Sequence, residues 1–395
     1  MALILAATHL IGPKEGIADL PASKPAEGGE WSMFRDDVHR TGATDAGGPM
    51  RGELMWSRWY GPYKYVGCPV VAGDLVFVGI SVSPGRTGGG LSCLNATTGE
   101  PVWDSLAVGR NIRSSPAVVD GLVYVGSDAP SIYELTSSIY CLNATTGEVV
   151  WAYNTSGNVR SSPAIAYGLV FVGSADHNIY CLNATTGKLV WAHATESPVH
   201  ASPAVAEGRI YVGSGDTLYC LDAFTGESIW EYSTGRANEF TYYGPAVEGG
   251  CVYVCLPFSE RFCCLNATDG SLIWSYEGGT SFCPAVAGGK VFFVWYKTVY
   301  CLDASNGHLL WNKTLEETLS TSPVVAGGLL YVGTYIGGFP PQGKIYCLNT
   351  TDGEVVWSYP IEGRVTSGPV VAGNRVFFSS EGSLYCLGEA KELPS

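Results

Sequence analysis

From about residue 53 onward, short apolar runs alternate with turn residues, and nowhere does the spacing of an amphipathic helix persist over a useful length. In SPAIAYGLVFVGSADHNIYCLNATTGKLVWAH (162–193), four runs rich in Val, Ile, Tyr and Phe are separated by Gly168, by Asp176-His177-Asn178 and by Thr186-Gly187. β-Branched and aromatic residues suit strands, and the residues between them suit tight turns. The unit predicts four antiparallel strands, lettered here A to D from the proline strand to the tryptophan strand.

The unit recurs along the chain. Trp stands at 56, 103, 151, 191, 230, 274, 311 and 357, and Cys at 93, 141, 181, 220, 264, 301, 347 and 386. Each of these Cys except the last lies ten residues before the next Trp of the series. A Pro precedes each Cys by 17 to 25 residues, so insertions are accepted between Pro and Cys and refused between Cys and Trp. Four strands in about 40–48 residues is the period of a propeller blade. The last unit stops at YCLGEA before any Trp, and the missing strand stands at the other end, in ELMWSRWY (53–60). The expected fold is therefore all-β, an eight-bladed β-propeller of four-stranded antiparallel blades. An N-terminal strand completes the last blade and removes the open edge. The expected boundaries are 1–30 for an N-terminal extension or remnant signal and linker, 31–52 for a pre-propeller segment, 53–390 for the propeller and 391–395 for a tail.

The Cys-to-Trp run, as in CLNATTGEVVW (141–151), resembles the tryptophan-docking motif of pyrroloquinoline-quinone-type propellers. WSMFRDDVHRTG (31–42) resembles the segment that precedes the propeller in many of them. The resemblance covers roughly residues 31–390. That family includes quinoprotein dehydrogenases, the barrel-assembly lipoprotein of bacterial outer membranes and many cell-surface repeat proteins. It implies a fold without implying one function.

The motif itself reads as a folding device. Gly147 and its equivalents sit where a C–D hairpin needs positive φ. Trp56, Trp103, Trp151, Trp191, Trp230, Trp274, Trp311 and Trp357 can lie flat between blades with the indole N–H free for a carbonyl. The Asx residue two before each turn threonine can bond the turn backbone. The repeated Cys read as small buried hydrophobes: equivalent sites on adjacent blades are about 10 Å apart, beyond the roughly 6.8 Å that a disulfide spans.

Charge narrows the partners. The net charge is −14 with 22 Lys and Arg, which argues against nucleic acid or anionic lipid. No run reaches the ~18 apolar residues needed for a membrane span. The start, MALILAATHLIG, reads either as a clipped signal or as an apolar strand able to dock on a neighbouring propeller. Asn95, Asn143, Asn183, Asn266 and Asn349 each have Thr two residues later at the same turn, and Asn154 and Asn312 add further sequons. They are candidate glycosylation sites, which implies an extracellular or cell-surface glycoprotein. The equivalent Asp222 and Asp303 are followed by Phe224 and Ser305 instead.

Within a repeat, asymmetry is the only sign of a site. Three residues before the prolines, Arg113, Arg160, His200 and Tyr242 (with Tyr243 beside it) are expected at the channel mouth on the face of the D–A and B–C loops. Trp295, in place of the usual Gly, is expected on the same face. A basic arc opposite an aromatic arc would suit an anionic, planar or sugar ligand. In the fifth blade, Cys255 and Cys263 are expected to face each other across a hairpin as a disulfide. The adjacent Cys263-Cys264 is similar to the vicinal disulfide of quinoprotein alcohol dehydrogenases.

Two functions follow. The first is a non-catalytic surface scaffold or binding module, with other surface proteins, carbohydrate or copies of itself as partners and no cofactor; as a self-assembling subunit it would build a surface layer or filament. The alternative, implied by the resemblance, is a dehydrogenase using pyrroloquinoline quinone with Ca²⁺. That needs an oxygen-rich metal site and an Asp base, and neither is recognisable in the sequence.

Overall fold

Every Pro-to-Trp unit folds into the expected four strands. Blade 3 is typical: Ala164–Ala166, Leu169–Ser174, Asn178–Asn183 and Leu189–Ala194 pair in that order as one antiparallel sheet. The computed structural model describes residues 31–83, 88–105, 108, 111–128, 137–240, 243–278, 282–338 and 340–389, and among them there is no α-helix. Eight such sheets stand in a ring, and each short A strand touches the next, including the last (Val370–Ala372) with the first (Val70–Ala72). The fold is an eight-bladed β-propeller.

The ring closes as the sequence predicts. Glu53–Trp59 pairs antiparallel with Ser383–Gly388, and Trp56 faces Cys386 as Trp151 faces Cys141 in blade 2. The fixed ten-residue interval has a geometric cause. Between Cys141 and Leu142 the register shifts, so that Val149 opposes Leu142, Trp151 opposes Cys141, and Val150 is the extra residue of a bulge. A turn of fixed length plus one bulge accepts no insertion.

Between blades the core is aromatic and aliphatic. Indole N–H groups donate to a carbonyl of the following blade at 2.9–3.1 Å, from Trp56 to Ala96, Trp103 to Ala144, and so on to Trp311 and Thr350. Trp357 has no following turn to meet and donates at 2.9 Å to Pro49, while its ring lies against Gly52. The chain's own N-terminal segment thus supplies the eighth docking surface.

The thirteen cysteines are free thiols. The expected bridge in blade 5 is not formed, and the register shows why: Cys255 faces Phe262 while Cys263 faces Val254. The two thiols are one residue out of step and point to opposite faces of the sheet. Cys263 and Cys264 are also unbridged, each buried in the ladder. Burial lifts the thiols of Cys93, Cys141, Cys347 and Cys386 to about 12, which keeps them protonated and inert.

Candidate functional site

Residues 31–44 form a strap that runs round the inside of the ring and meets the A strands in turn. Trp31 exchanges backbone hydrogen bonds with Val71 of blade 1, and Ser32 O accepts from Val118 of blade 2. Val38, His39, Thr41 and Gly42 then accept from Val205, Val247, Val286 and Val325 in blades 4 to 7 at 2.7–2.9 Å. Ala43–Thr44 ends the strap as a parallel strand beside Val324–Ala326.

Two arginines of the strap fill the waist of the channel. Arg40 is 1% exposed and donates to the carbonyls of Phe34, Ser162, Pro163 and Pro203 at 2.5–3.0 Å. Arg35 donates to the carbonyls of Cys283 and Pro284 and to its neighbour Arg40. Burial lowers both guanidinium pKa values, that of Arg40 to about 10, so Arg40 stays charged at neutral pH. Carbonyls that a sheet edge would leave unpaired are the natural acceptors for these donors. The waist is stoppered, and a ligand reaches the molecule from one face or the other.

On the face of the D–A and B–C loops, Asp128 gathers the predicted basic residues. Its side chain is 6% exposed and lies between Arg160 Nε, at 3.3 and 3.1 Å from its two oxygens, and Arg113 Nε at 3.4 Å. Backbone geometry fixes it there, since Asp128 N–H donates to Asn111 O, and Asn111 Oδ1 accepts from Val82 N–H of blade 1. The contact uses Nε of both arginines, and their side chains remain 49% and 37% exposed. His200 lies near the same group. Burial first, then the Arg160 charge, lowers its pKa against the opposing pull of Asp128, so it presents a neutral imidazole rather than a third cation.

Val66 and Ser320, at the equivalent place in blades 1 and 7, are buried. Tyr243 is half-buried at the start of the blade 5 A strand, while Tyr242 and Ser281 lie outside the described residues. Trp295 closes the B strand Lys290–Trp295 and joins an aromatic array, with ring centroids 5.7 Å from Tyr296 and 6.4 Å from Tyr300. Sequence reasoning missed Asp128. The available signal was its place as first residue of the insertion DAPSIYELTSS (128–138), directly above the two arginines.

The opposite face, that of the A–B turns, opens into a bowl of about 1340 Å³. Its wall carries Asp36, Asp37 and Asp45 from the strap and its continuation, and Asp120, Glu207 and Glu248 from the blades, against His39 and Lys290. Asp37 is occupied, accepting from Thr41 N–H and Oγ1 at 3.1 and 2.7 Å. Asp36 is pushed up to about 8 by burial and then by Asp37 and Asp45, and Glu248 is raised for the same reasons.

A calcium-held quinone does not fit the channel mouth. The carboxylate in place there, Asp128, is already neutralised by two guanidinium groups, which repel a divalent cation. Among the described residues no group of three or more His, Cys, Asp or Glu is arranged to hold a metal, and no helix is long and apolar enough to cross a membrane.

A repeat-family model described as outer membrane protein assembly factor BamB matches residues 42–139, 87–200, 175–284, 277–339 and 297–391. No curated protein sequence matches the chain. Among solved structures, BamB from Moraxella catarrhalis is 18% identical with a TM-score of 0.68, covering 87% of this chain and all of that one. A quinohemoprotein alcohol dehydrogenase from Comamonas testosteroni is 14% identical (TM-score 0.72, 93% of this chain and 82% of that one). A europium-containing methanol dehydrogenase is 12% identical (TM-score 0.76, 93% and 99%). At these identities the likeness is one of fold.

Proposed function

This chain belongs to the PQQ-type repeat family described as outer membrane protein assembly factor BamB, and from that premise we propose that it is a non-catalytic binding module working at the cell surface. The observation that carries this is the mouth built on Asp128: one buried carboxylate holding two half-exposed arginines above a stoppered channel. Two guanidinium groups against one carboxylate leave a net positive charge. The planar forks suit carboxylates of a partner protein, which they can bind two oxygens at a time. A second copy of the chain is a partner this chemistry accepts, since the opposite bowl is lined with carboxylates. The same donor set speaks against quinone chemistry, because it offers neither an uncommitted acid for a metal nor one for a general base.

Titration with a glutamate-rich peptide tests the site. Binding should saturate, weaken with salt, and fall about tenfold or more in Arg160→Ala, a loss of about 1.4 kcal/mol. Affinity unchanged in the Arg113→Ala, Arg160→Ala double variant would sink the assignment. Dye-linked alcohol oxidation on adding pyrroloquinoline quinone and calcium would replace it with the dehydrogenase reading. Labelling of intact cells with a membrane-impermeant reagent tests the location.

A further inference from the structure

The outer rim of the ring carries a belt of exposed apolar residues for which the fold gives no reason. The bulge before each Trp turns two successive residues outward: Val149 and Val150 in blade 2, Leu189 and Val190 in blade 3, Leu272 and Ile273 in blade 5. Between 39% and 51% of each side chain is exposed. Such a belt around a soluble protein is unusual unless something covers it.

The turn at the foot of each pair holds an Asn-x-Thr that the turn does not need. In blade 2, Asn143 Oδ1 accepts the N–H groups of Thr145 and Thr146 at 2.9 and 3.0 Å, and Thr146 Oγ1 accepts from Glu148 N–H. An aspartate makes the same turn equally well: Asp222 Oδ1 accepts from Phe224 and Thr225 N–H at 2.9 and 2.8 Å, with phenylalanine in the place of Thr145. These turn bonds require neither the amide nitrogen of the Asn nor the hydroxyl of the threonine two residues on. Yet the two occur together in blades 1, 2, 3, 5 and 7, and where Asn gives way to Asp the threonine is lost as well.

Blade 6 sharpens the correlation. Its turn has Asp303, but its exposed Leu309 and Leu310 are followed on the same strand by Asn312-Lys313-Thr314, with Asn312 exposed. Blade 4, with Asp222 and no other sequon, exposes a single large apolar residue of the pair, Ile229 beside Ser228, with Phe224 exposed in its turn; blade 1, which has a sequon, pairs Val102 with Pro101. Blade 8, where the two chain ends meet, keeps Leu54 and Met55 without a sequon and is the gap in the pattern.

We propose that Asn95, Asn143, Asn183, Asn266, Asn312 and Asn349 carry N-linked glycans that lie over the apolar belt of the rim. In the modification, Nδ2 loses a proton and bonds the anomeric carbon of a sugar, whose bond to the phosphate of a lipid-linked donor breaks. Carbohydrate presents C–H faces to apolar side chains and hydroxyls to water, which suits this position. The inference rests on the export included in the proposed function, since the donor is used outside the cytoplasm.

Peptide mass mapping of the full chain isolated from its own cells is the test. Carbohydrate mass is expected on the peptides holding those six asparagines. Converting Thr97, Thr145, Thr185, Thr268, Thr314 and Thr351 to Ala leaves every asparagine and its turn bonds in place. That variant should fold, run at its bare mass, bind a hydrophobic dye several-fold more strongly and self-associate as concentration rises. Bare peptides from a protein found outside the membrane overturn the glycans while leaving the binding module standing. A chain retained in the cytoplasm removes the export on which both rest. A bare variant that stays monomeric without added dye binding overturns the covering role.

Discussion

Single residues of the strap carry charges into places where the fold would otherwise leave backbone groups unpaired. Arg40 meets four carbonyls and no carboxylate, so its charge is balanced by peptide dipoles from blades 3 and 4 and from its own strap. Asp36 is the opposite case, an acid held among other acids. Burial raises its pKa first, and Asp37 and Asp45 on its own segment add to the rise; on the same wall of the bowl, Glu248 from blade 5 is raised in the same way, with His39 pulling against it. The Asp36 carboxyl holds a proton up to about pH 8 in the folded chain, whereas it ionises near 3.9 in an unfolded one. Between those values the folded state binds the extra proton, so this group's contribution to stability falls as pH rises through the window and levels off above about 8. Asp36→Asn should therefore melt higher than the parent at pH 8.5 and close to it at pH 4, as followed by calorimetry. A constant difference across that range would show that Asp36 is ionised throughout. None of this was legible in WSMFRDDVHRTG, because a burial-driven shift depends on what the chain packs against.

At the scale of the element, the C–D hairpin was readable almost in full. A turn glycine, an Asx whose Oδ1 accepts from the N–H groups two and three residues on and a Trp at fixed distance are local devices, and local devices survive in a sequence pattern. Gly147 shows two demands meeting at one position: its φ is 72°, and a Cβ there would lie 2.6 Å from the ring of Trp103. Gly147→Ala adds left-handed backbone strain of about 1–2 kcal/mol to overpacking of about 1–3 kcal/mol. Chemical denaturation should show a loss of about 2–5 kcal/mol. A loss below about 0.5 kcal/mol would mean that Trp103 shifts aside freely and that the Trp–Gly contact is not what fixes the blade spacing. The disulfide expected in blade 5 failed at this same scale. Hairpin register decides which face a thiol takes, and the five residues Pro257 to Arg261 do not announce whether the register is in step. Asymmetry among repeats singled out Arg113 and Arg160, whereas Asp128, which the structure places between them, sits on an insertion that has no counterpart to compare.

Across the whole molecule, the strap changes what kind of repeat protein this is. An array whose blades touch only their neighbours has stability that sums along the chain and frays blade by blade. Here one segment bonds the A strands of blades 1, 2, 4, 5, 6 and 7, and Arg40 adds the carbonyls of blades 3 and 4. The same segment offers Pro49 and Gly52 to Trp357 and then becomes the outer strand of blade 8. Partial opening of any blade breaks a bond to the common strap, so the ring should unfold as a unit. A protease site inserted between Pro62 and Tyr63 separates the strap and closing strand from the rest without removing either. The released segment 1–62 should stay bound through gel filtration, with a single unfolding transition retained. On displacement in mild denaturant, the ring left behind should polymerise through the uncovered edge at Ser383–Gly388. If instead the segment elutes separately and the ring stays monomeric and folded, closure rests on the contact between the first and last A strands alone, and the strap serves only to plug the channel.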